Sequence, residues 1–397
     1  MSELDEFRAE ARAWLDENCP PSMRIPPRSL KQITWGGRRQ TFENPEQKLW
    51  LDRTVEKGWT VPTWPVEYGG AGLSKKEARA LQKEMDALSC RVPLFSYGIT
   101  MLAPVLLEYG SEEQRQRYLP PIARGEIRWC QGYSEPGAGS DLASLQCRAV
   151  RSGDEYVVNG QKIWTSDADI SDWIFCLVRT DPDVPKHDGI SFLLIDMQSE
   201  GVSVSPIPLI SGASPFCQTF LDDVRVPADQ RVGPENGGWT IAKAVLQHER
   251  EMLSGGIGGV RPEKKASLVD IARESLDAPE GPLPDASLRD ELVRIQMDRL
   301  CYRATLQRSA ASARAGRGVG PETSMFKLYQ SELGQRSEDW RHRVMGASGL
   351  GWEGDEFSAD DLQFTRDWLY GKAFTILGGT SEIQLNIIAK RVLGLPD

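Results

Sequence analysis

Tyr156–Ser166 reads YVVNGQKIWTS. Apolar and β-branched residues flank Asn159-Gly160, a pair suited to a tight primed turn. The stretch therefore reads as a hairpin, with Tyr156-Val157-Val158 as one arm and Gln161–Trp164 as the other. Further β-rich runs surround it: Trp129–Ser134, Trp173–Val178, Ile190–Ile195 and Phe220–Val226, bounded by Asp, Pro and Gly. On both sides of this block the apolar period is helical. Phe7, Ala11 and Trp14 fall at i, i+4, i+7 and form one stripe. Pro62–Gly72 (PTWPVEYGGAG) punctuates the first third. Ser74 with Glu77, and Ser111 with Gln114, predict capping boxes. From Trp239 the helical period returns, and Ala266–Ser275, Asp285–Ala315 and Pro321–Arg343 read as long helices. Pro279, Pro282 and Pro284 separate the first two. The fold class is α+β multidomain, with an N-terminal helical domain (1–126), a middle β-barrel-like domain (127–232) and a C-terminal helical bundle (233–397). No internal repeat is present.

Composition narrows the function. The 397 residues carry 47 basic and 57 acidic side chains, a formal net charge of -10. Such a balance argues against a general nucleic-acid binder, which needs a positive surface. A local patch for one phosphate group is still allowed. No apolar run approaches the roughly 18 residues of a membrane span. The start, MSELDEFRAEARAWLDE, lacks the basic flank and apolar stretch of a signal peptide. The seven cysteines form no C-x-x-C pair, which fits a reducing, cytoplasmic setting. With three histidines and no Cys/His cluster, a metal site is not expected.

Three motifs carry chemistry. In Tyr133–Leu142 (YSEPGAGSDL), Gly137 and Gly139 let backbone approach a ligand closely. Ser134 and Ser140 add hydroxyls beside exposed N–H groups, an arrangement that can hold a polar ring edge or a phosphate. An ordinary Gly/Ser/Pro turn is the alternative. In Asn159–Ser166, Trp164 offers a flat apolar wall and Ser166 a hydroxyl, although Trp164 also reads as a core aromatic. In Ile376–Gly394 (ILGGTSEIQLNIIAKRVLG), Thr380 or Ser381 can cap a helix with Glu382 in its first turn. Gly349–Gly354 matches G-x-G-x-x-G but follows a helical segment without a βαβ unit, so a dinucleotide site is not expected there.

Together these motifs resemble the acyl-CoA dehydrogenase family, which oxidises a CoA thioester at Cα–Cβ using FAD. The resemblance covers nearly the whole chain, including its helical, β, helical order. It implies that Ser134, Trp164 and Ser166 line the isoalloxazine, with Gln131, Gly379 and Thr380 also on the FAD side. It places Ser140 near the CoA phosphates and adds Arg250 and Gly378 to the substrate side. Many relatives carry R-x-x-F-G early in the third domain, whose Arg neutralises the FAD pyrophosphate across a subunit boundary. The nearest match here, Arg273-Glu274-Ser275-Leu276, lacks the Phe-Gly. Relatives also often have Gln-x-x-Gly-Gly, where this chain has Arg343-Val344-Met345-Gly346-Ala347. Arg343 either contacts the pyrophosphate itself or is a solvated, ion-paired surface residue.

In much of the family a Glu precedes the Gly-Thr of the last motif and removes the α-proton. Here that position is Gly378. One branch takes its base from the helix after the β domain, as a Glu-Arg followed by an apolar run and Gly-Gly. Leu246–Gly256 (LQHEREMLSGG) matches it, which makes Glu249 the expected base. Glu249 shares a helical face with Leu246, Met252 and Leu253. Glu251 lies roughly 200° and His248 about 100° around the helix. Read without the family, Glu249-Arg250-Glu251 is also consistent with a solvated charge cluster. Gly255, Gly256, Gly258 and Gly259 suggest close packing at this helix end, or simply its terminus.

The resemblance implies FAD-dependent α,β-dehydrogenation to a trans-2-enoyl-CoA, with an electron-transfer flavoprotein as acceptor. Glycine at 378 frees space, which favours branched, cyclic or bulky acyl groups. The C-terminal motif is most similar to bacterial branches that degrade steroid side chains and aromatic acids. Two alternatives stand beside this reading. One is an FAD-sharing subunit of a heterotetramer with a second, related chain, rather than a homotetramer. The other is a flavin monooxygenase or oxidase on the same scaffold.

Overall fold

A computed structural model describes residues 2–255, 267–312, 315, 320 and 323–396, except the side chains of 250, 251 and 253–255. The chain forms two compact units, Met1–Ile207 with Pro215–Lys264 and Pro208–Ser214 with Lys265–Asp397.

The first unit opens with helices. In α1 (Glu3–Asn18), Ser2 and Asp5 form a capping box, and the Phe7–Ala11–Trp14 stripe packs with Leu15. It meets Trp50 of α2 (Pro45–Glu56) and Leu81 and Met85 of α3 (Lys75–Ala87). The boxes expected at Ser74/Glu77 and Ser111/Gln114 start α3 and α5 (Glu112–Ala123). Between these lie a π-helical turn, Gly98–Leu102, and α4 (Ala103–Tyr109).

The middle of the chain is an eight-stranded sheet of β1 (Trp129–Gly132), β2 (Arg148–Ser152), β3 (Glu155–Ser166), β4 (Trp173–Arg179), β5 (Ile190–Asp196), β6 (Val202–Ile207), β7 (Phe216–Pro227) and β8 (Arg231–Val232). Its order is β6-β7-β3-β2-β4-β5-β8, with β1 parallel to β4. One face, bearing Trp129, Tyr133, Phe175 and Phe192, joins a core with α4, α5 and α6 (Gly238–Gly255). The other face, with Cys130, Ile174, Cys176 and Leu193, packs against residues of β2, β3 and β7.

The hairpin expected at Asn159-Gly160 does not form. β3 runs straight through these residues, and the turn to β2 lies at Gly153-Asp154. The partner strand supplies the reason. Between Val158↔Val224 and Gly160↔Leu221 the register shifts, so β7 bulges. Asn159 spans that bulge, its Nδ2 donating to Asp223 Oδ1 at 2.9 Å and its Oδ1 accepting from Asp223 N at 2.9 Å. β6 had no counterpart in the sequence reading; its run VSVSPI is mostly half-exposed or exposed.

The second unit contains α7 (Leu268–Ser275), α8 (Ala286–Ser312), α9 (Thr323–Met345), α10 (Ala359–Gly371) and α11 (Ser381–Ile387). Leu268, Ala272, Leu292, Ile295, Leu333, Trp340 and Val344 form its core. Gly349–Gly354 follows α9 through the 3-10 turn Gly346–Leu350, with no preceding strand among the described residues. Among the described residues no helix is long and apolar enough to cross a membrane. Gly256, Gly258 and Gly259 lie outside the described residues.

Candidate functional site

The first two motifs are stitched together at their backbones. Ser134 O accepts Ile163 N–H at 2.9 Å. Lys162, fully buried, donates from Nζ to Tyr133 O at 3.2 Å and to Glu135 Oε1 at 2.7 Å. Glu135 also accepts from Gln146 N at 2.6 Å and Cys147 N at 2.9 Å. A turn closes over Pro136-Gly137, with reciprocal Glu135–Ala138 backbone bonds of 3.0 Å. Beyond it, Arg179 donates to Ala143 O at 2.6 Å and Leu145 O at 3.2 Å. Two buried cations thus fix both ends of the glycine loop. Sequence reading passed over both; a charged residue inside a strand of apolar neighbours was the available signal.

The loop's two glycines face open space. A Cβ built at Gly137 or Gly139 meets nothing within 4 Å. Ser134 is half-buried and Ser140 exposed. At the end of β3, two residues oppose one on β7 between Lys162 and Thr165. Trp164 sits in this bulge at φ +61°; the residue is 52% exposed, and its ring lies edge-on to Phe216 at 6.1 Å. Left-handed backbone is unusual for so large a side chain, and bulges commonly re-aim a side chain. Trp164 is therefore not a core aromatic. Ser166 ends the strand half-buried.

Glu249 lies on α6, four residues after Val245. Val245 is buried in the core that also holds Tyr133 and Phe175, and Leu246 and Met252 pack on the same core. The carboxylate therefore projects along the apolar side of α6. Its Oε2 accepts from Gln131 Nε2 of β1 at 3.3 Å. Thr100 of the π-helical turn donates to Met252 Sδ at 3.3 Å. Tyr97, just before that turn, was not foreseen. Burial pushes its phenol pKa up, the charges of Asp167 and Glu249 push the same way, and Arg128 and Ser166 oppose them. Arg128 pairs with Asp167 at 2.6 Å and stacks over Trp35 at 4.9 Å. Burial also raises the Asp167 carboxyl, against the pull of Arg128. The Arg250 side chain lies outside the described residues.

The remaining expected residues belong to the second unit. Gly378 and Gly379 have φ of +64° and +90°. Gly379 O accepts from Lys327 Nζ at 2.6 Å and Gly378 O from Gln384 Nε2 at 3.2 Å. Thr380 is the N-cap of α11, accepting from Ile383 N at 3.3 Å. Arg273 donates to Pro279 O at 3.2 Å and Gly281 O at 3.5 Å. Arg343 is an exposed residue of α9 paired with Glu291 of α8.

Three family models match in succession. They are the acyl-CoA dehydrogenase N-terminal domain over residues 1–126, the middle domain over 130–224 and the C-terminal domain over 236–393. The chain belongs to the acyl-CoA dehydrogenase family. It is 36% identical to acyl-CoA dehydrogenase IpdE1 of Mycobacterium tuberculosis (strain ATCC 25618 / H37Rv), over 100% of this chain and 99% of that protein. Among solved structures, the Tcur3481-Tcur3483 steroid ACAD is 32% identical with a TM-score of 0.71, covering 99% of this chain and 97% of that chain. The ChsE4-ChsE5 complex from Mycobacterium tuberculosis is 29% identical with a TM-score of 0.69, covering 100% and 98%. This acyl-CoA dehydrogenase is thus a flavoprotein oxidoreductase of the class acting on CH–CH bonds, with FAD as its cofactor. The open glycine loop, the out-turned Trp164 and the hydroxyls of Ser134 and Ser166 suit a planar, polar-edged ring.

Proposed function

We propose that the protein oxidises a bulky acyl-CoA to its trans-2-enoyl-CoA, with Glu249 as the base that removes the α-proton. The observation that carries this reading is the Glu249 carboxylate on the apolar side of α6, hydrogen-bonded to Gln131. A carboxylate held beside apolar surface is a stronger base than one in water. Bound FAD supplies the acceptor for the Cβ hydride. Ser134, Trp164 and Ser166 hold that cofactor, and Ser140 lies toward the CoA phosphates. Arg128 and Lys162 keep the surrounding strands and loops in place without touching the substrate. An electron-transfer flavoprotein receives the electrons, and seven free cysteines fit a cytoplasmic setting.

A steroid or similarly bulky acyl group is favoured because relatives that align end to end include proteins named steroid ACADs. The test is anaerobic flavin bleaching by butyryl-CoA and by cholan-24-oyl-CoA. The bulky thioester should reduce the flavin faster; a preference for butyryl-CoA overturns this part. Glu249→Gln should lower the reduction rate about 10³-fold, within the usual range for a general base. Retained reduction would point instead to a base-independent flavin oxidase or monooxygenase.

A second feature concerns assembly. Arg273 is engaged by two carbonyls and Arg343 by Glu291. Neither guanidinium is presented as a dedicated pyrophosphate ligand, which favours a related partner chain that completes the FAD site in a heterotetramer. The Tcur3481-Tcur3483 and ChsE4-ChsE5 structures each name two chains.

A further inference from the structure

We propose that Gln131 is a positioning residue for Glu249, its side-chain amide holding the carboxylate at the seam between β1 and α6. The inference rests on Glu249 being the base. It gives Gln131 a role toward the proton-transfer group rather than toward the flavin alone.

Strand periodicity places Trp129 and Gln131 on one face of β1, and Tyr133, the residue after its end, keeps the same alternation. Trp129 and Tyr133 belong to the core that also holds Val245, whereas the intervening Cys130 belongs to the opposite core. Helix periodicity places Glu249 one turn beyond Val245. The two periods converge on the 3.3 Å contact from Gln131 Nε2 to Glu249 Oε2.

Tyr133 supplies an independent observation. The residue is 5% exposed, its hydroxyl makes no hydrogen bond of ordinary geometry, and the Gln131 side chain acts on that phenol against the rise in its pKa. A buried hydroxyl is costly to leave unmatched, and Tyr133 stands two residues from Gln131 on the same face. Burial raises its phenol pKa, and the charge of Glu249 is the next cause, so the carboxylate lies within electrostatic reach. Among the described residues, Tyr97 is a further titratable group within electrostatic reach of Glu249, and Asp167 and Arg128 act on the same phenol. A glutamate side chain on a helix samples several rotamers. A neutral donor on one oxygen restricts them and favours the ionised form without adding a charge.

The experiment uses the FAD-loaded protein, with its partner chain where one is required. The ionisation of Glu249 is followed by infrared difference spectra against Glu249→Gln, in wild type and in the near-isosteric Gln131→Met. In Gln131→Met the Glu249 midpoint should move up by about one pH unit. The acid limb of the rate of flavin reduction by cholan-24-oyl-CoA should move with it, with roughly tenfold slower reduction below the midpoint. If Gln131→Met does not fold, Gln131→Asn withdraws the amide by one methylene and should shift the midpoint the same way. An unchanged midpoint overturns the proposal, whether or not FAD is lost. Because the midpoint is read without substrate, it judges Gln131 separately from the base assignment. That assignment fails only if Glu249→Gln still reduces its flavin with acyl-CoA.

Discussion

Lys162 has no exposed surface, and its ammonium is tolerated because Glu135 Oε1 lies 2.7 Å away and Tyr133 O accepts a second bond. Glu135 is also the acceptor for two backbone N–H groups, of Gln146 and Cys147. Removing one partner of a buried pair leaves an uncompensated charge. Lys162→Met should therefore destabilise the protein by roughly 3–5 kcal/mol, read as a lower urea midpoint by tryptophan fluorescence. Lys162→Met/Glu135→Gln should recover part of that loss, because the amide is neutral and its oxygen still accepts one N–H. Lys162→Met/Glu135→Leu should not recover, since the N–H groups of Gln146 and buried Cys147 then lack their acceptor. Equal stability of the two double variants would show that only the charge pair matters. The helical face that carries Glu249 was legible in LQHEREML, because period alone fixes it. The Lys162–Glu135 pair was not, because it joins residues of different elements that only the folded sheet brings together.

Strand β3 shows how far local signals reach at the level of an element. Asn159-Gly160 has turn chemistry, yet the chain stays extended there because β7 pairs along its length and Asn159 fills the β7 bulge. Gly153, with φ +63°, makes the turn instead. The two glycines should respond differently to alanine. At Gly160 a Cβ would stand 2.7 Å from the Cys147 Cα, a backbone atom, at φ +155°. Gly160→Ala should cost about 3 kcal/mol, combining overpacking and backbone strain. At Gly153 the space is open, so Gly153→Ala should cost about 1 kcal/mol from φ alone. Thermal unfolding of both variants checks the ranking, and a larger loss at Gly153 would restore the sequence-based hairpin. The capping boxes of α3 and α5 were read correctly because each is complete within four residues.

At the scale of the molecule, the order helical, β, helical was readable because each third keeps one hydrophobic period over a long stretch. Assembly was not readable that way, since an exposed apolar residue looks the same in sequence as a buried one. On α8, Leu292 and Ile295 are buried, but Val293, Met297 and Leu300 are 50%, 59% and 63% exposed at i, i+4, i+7. A second helix face of this kind is what an oligomer covers. If related chains pack there, a charge in the middle of the stripe should separate them. Met297→Glu should shift the native mass, measured by light scattering, from the assembled form to a smaller species. The helical signal in circular dichroism should stay unchanged, because no core residue of the second unit is altered. Flavin content decides what the assembly is for. If a partner completes the FAD site, the chain expressed alone should retain well below one flavin per chain after desalting. Co-expression with the related chain should raise the content, and Met297→Glu should reverse the gain. Stoichiometric flavin in the chain alone, unaffected by Met297→Glu, would show instead that FAD binding needs no help from a second chain.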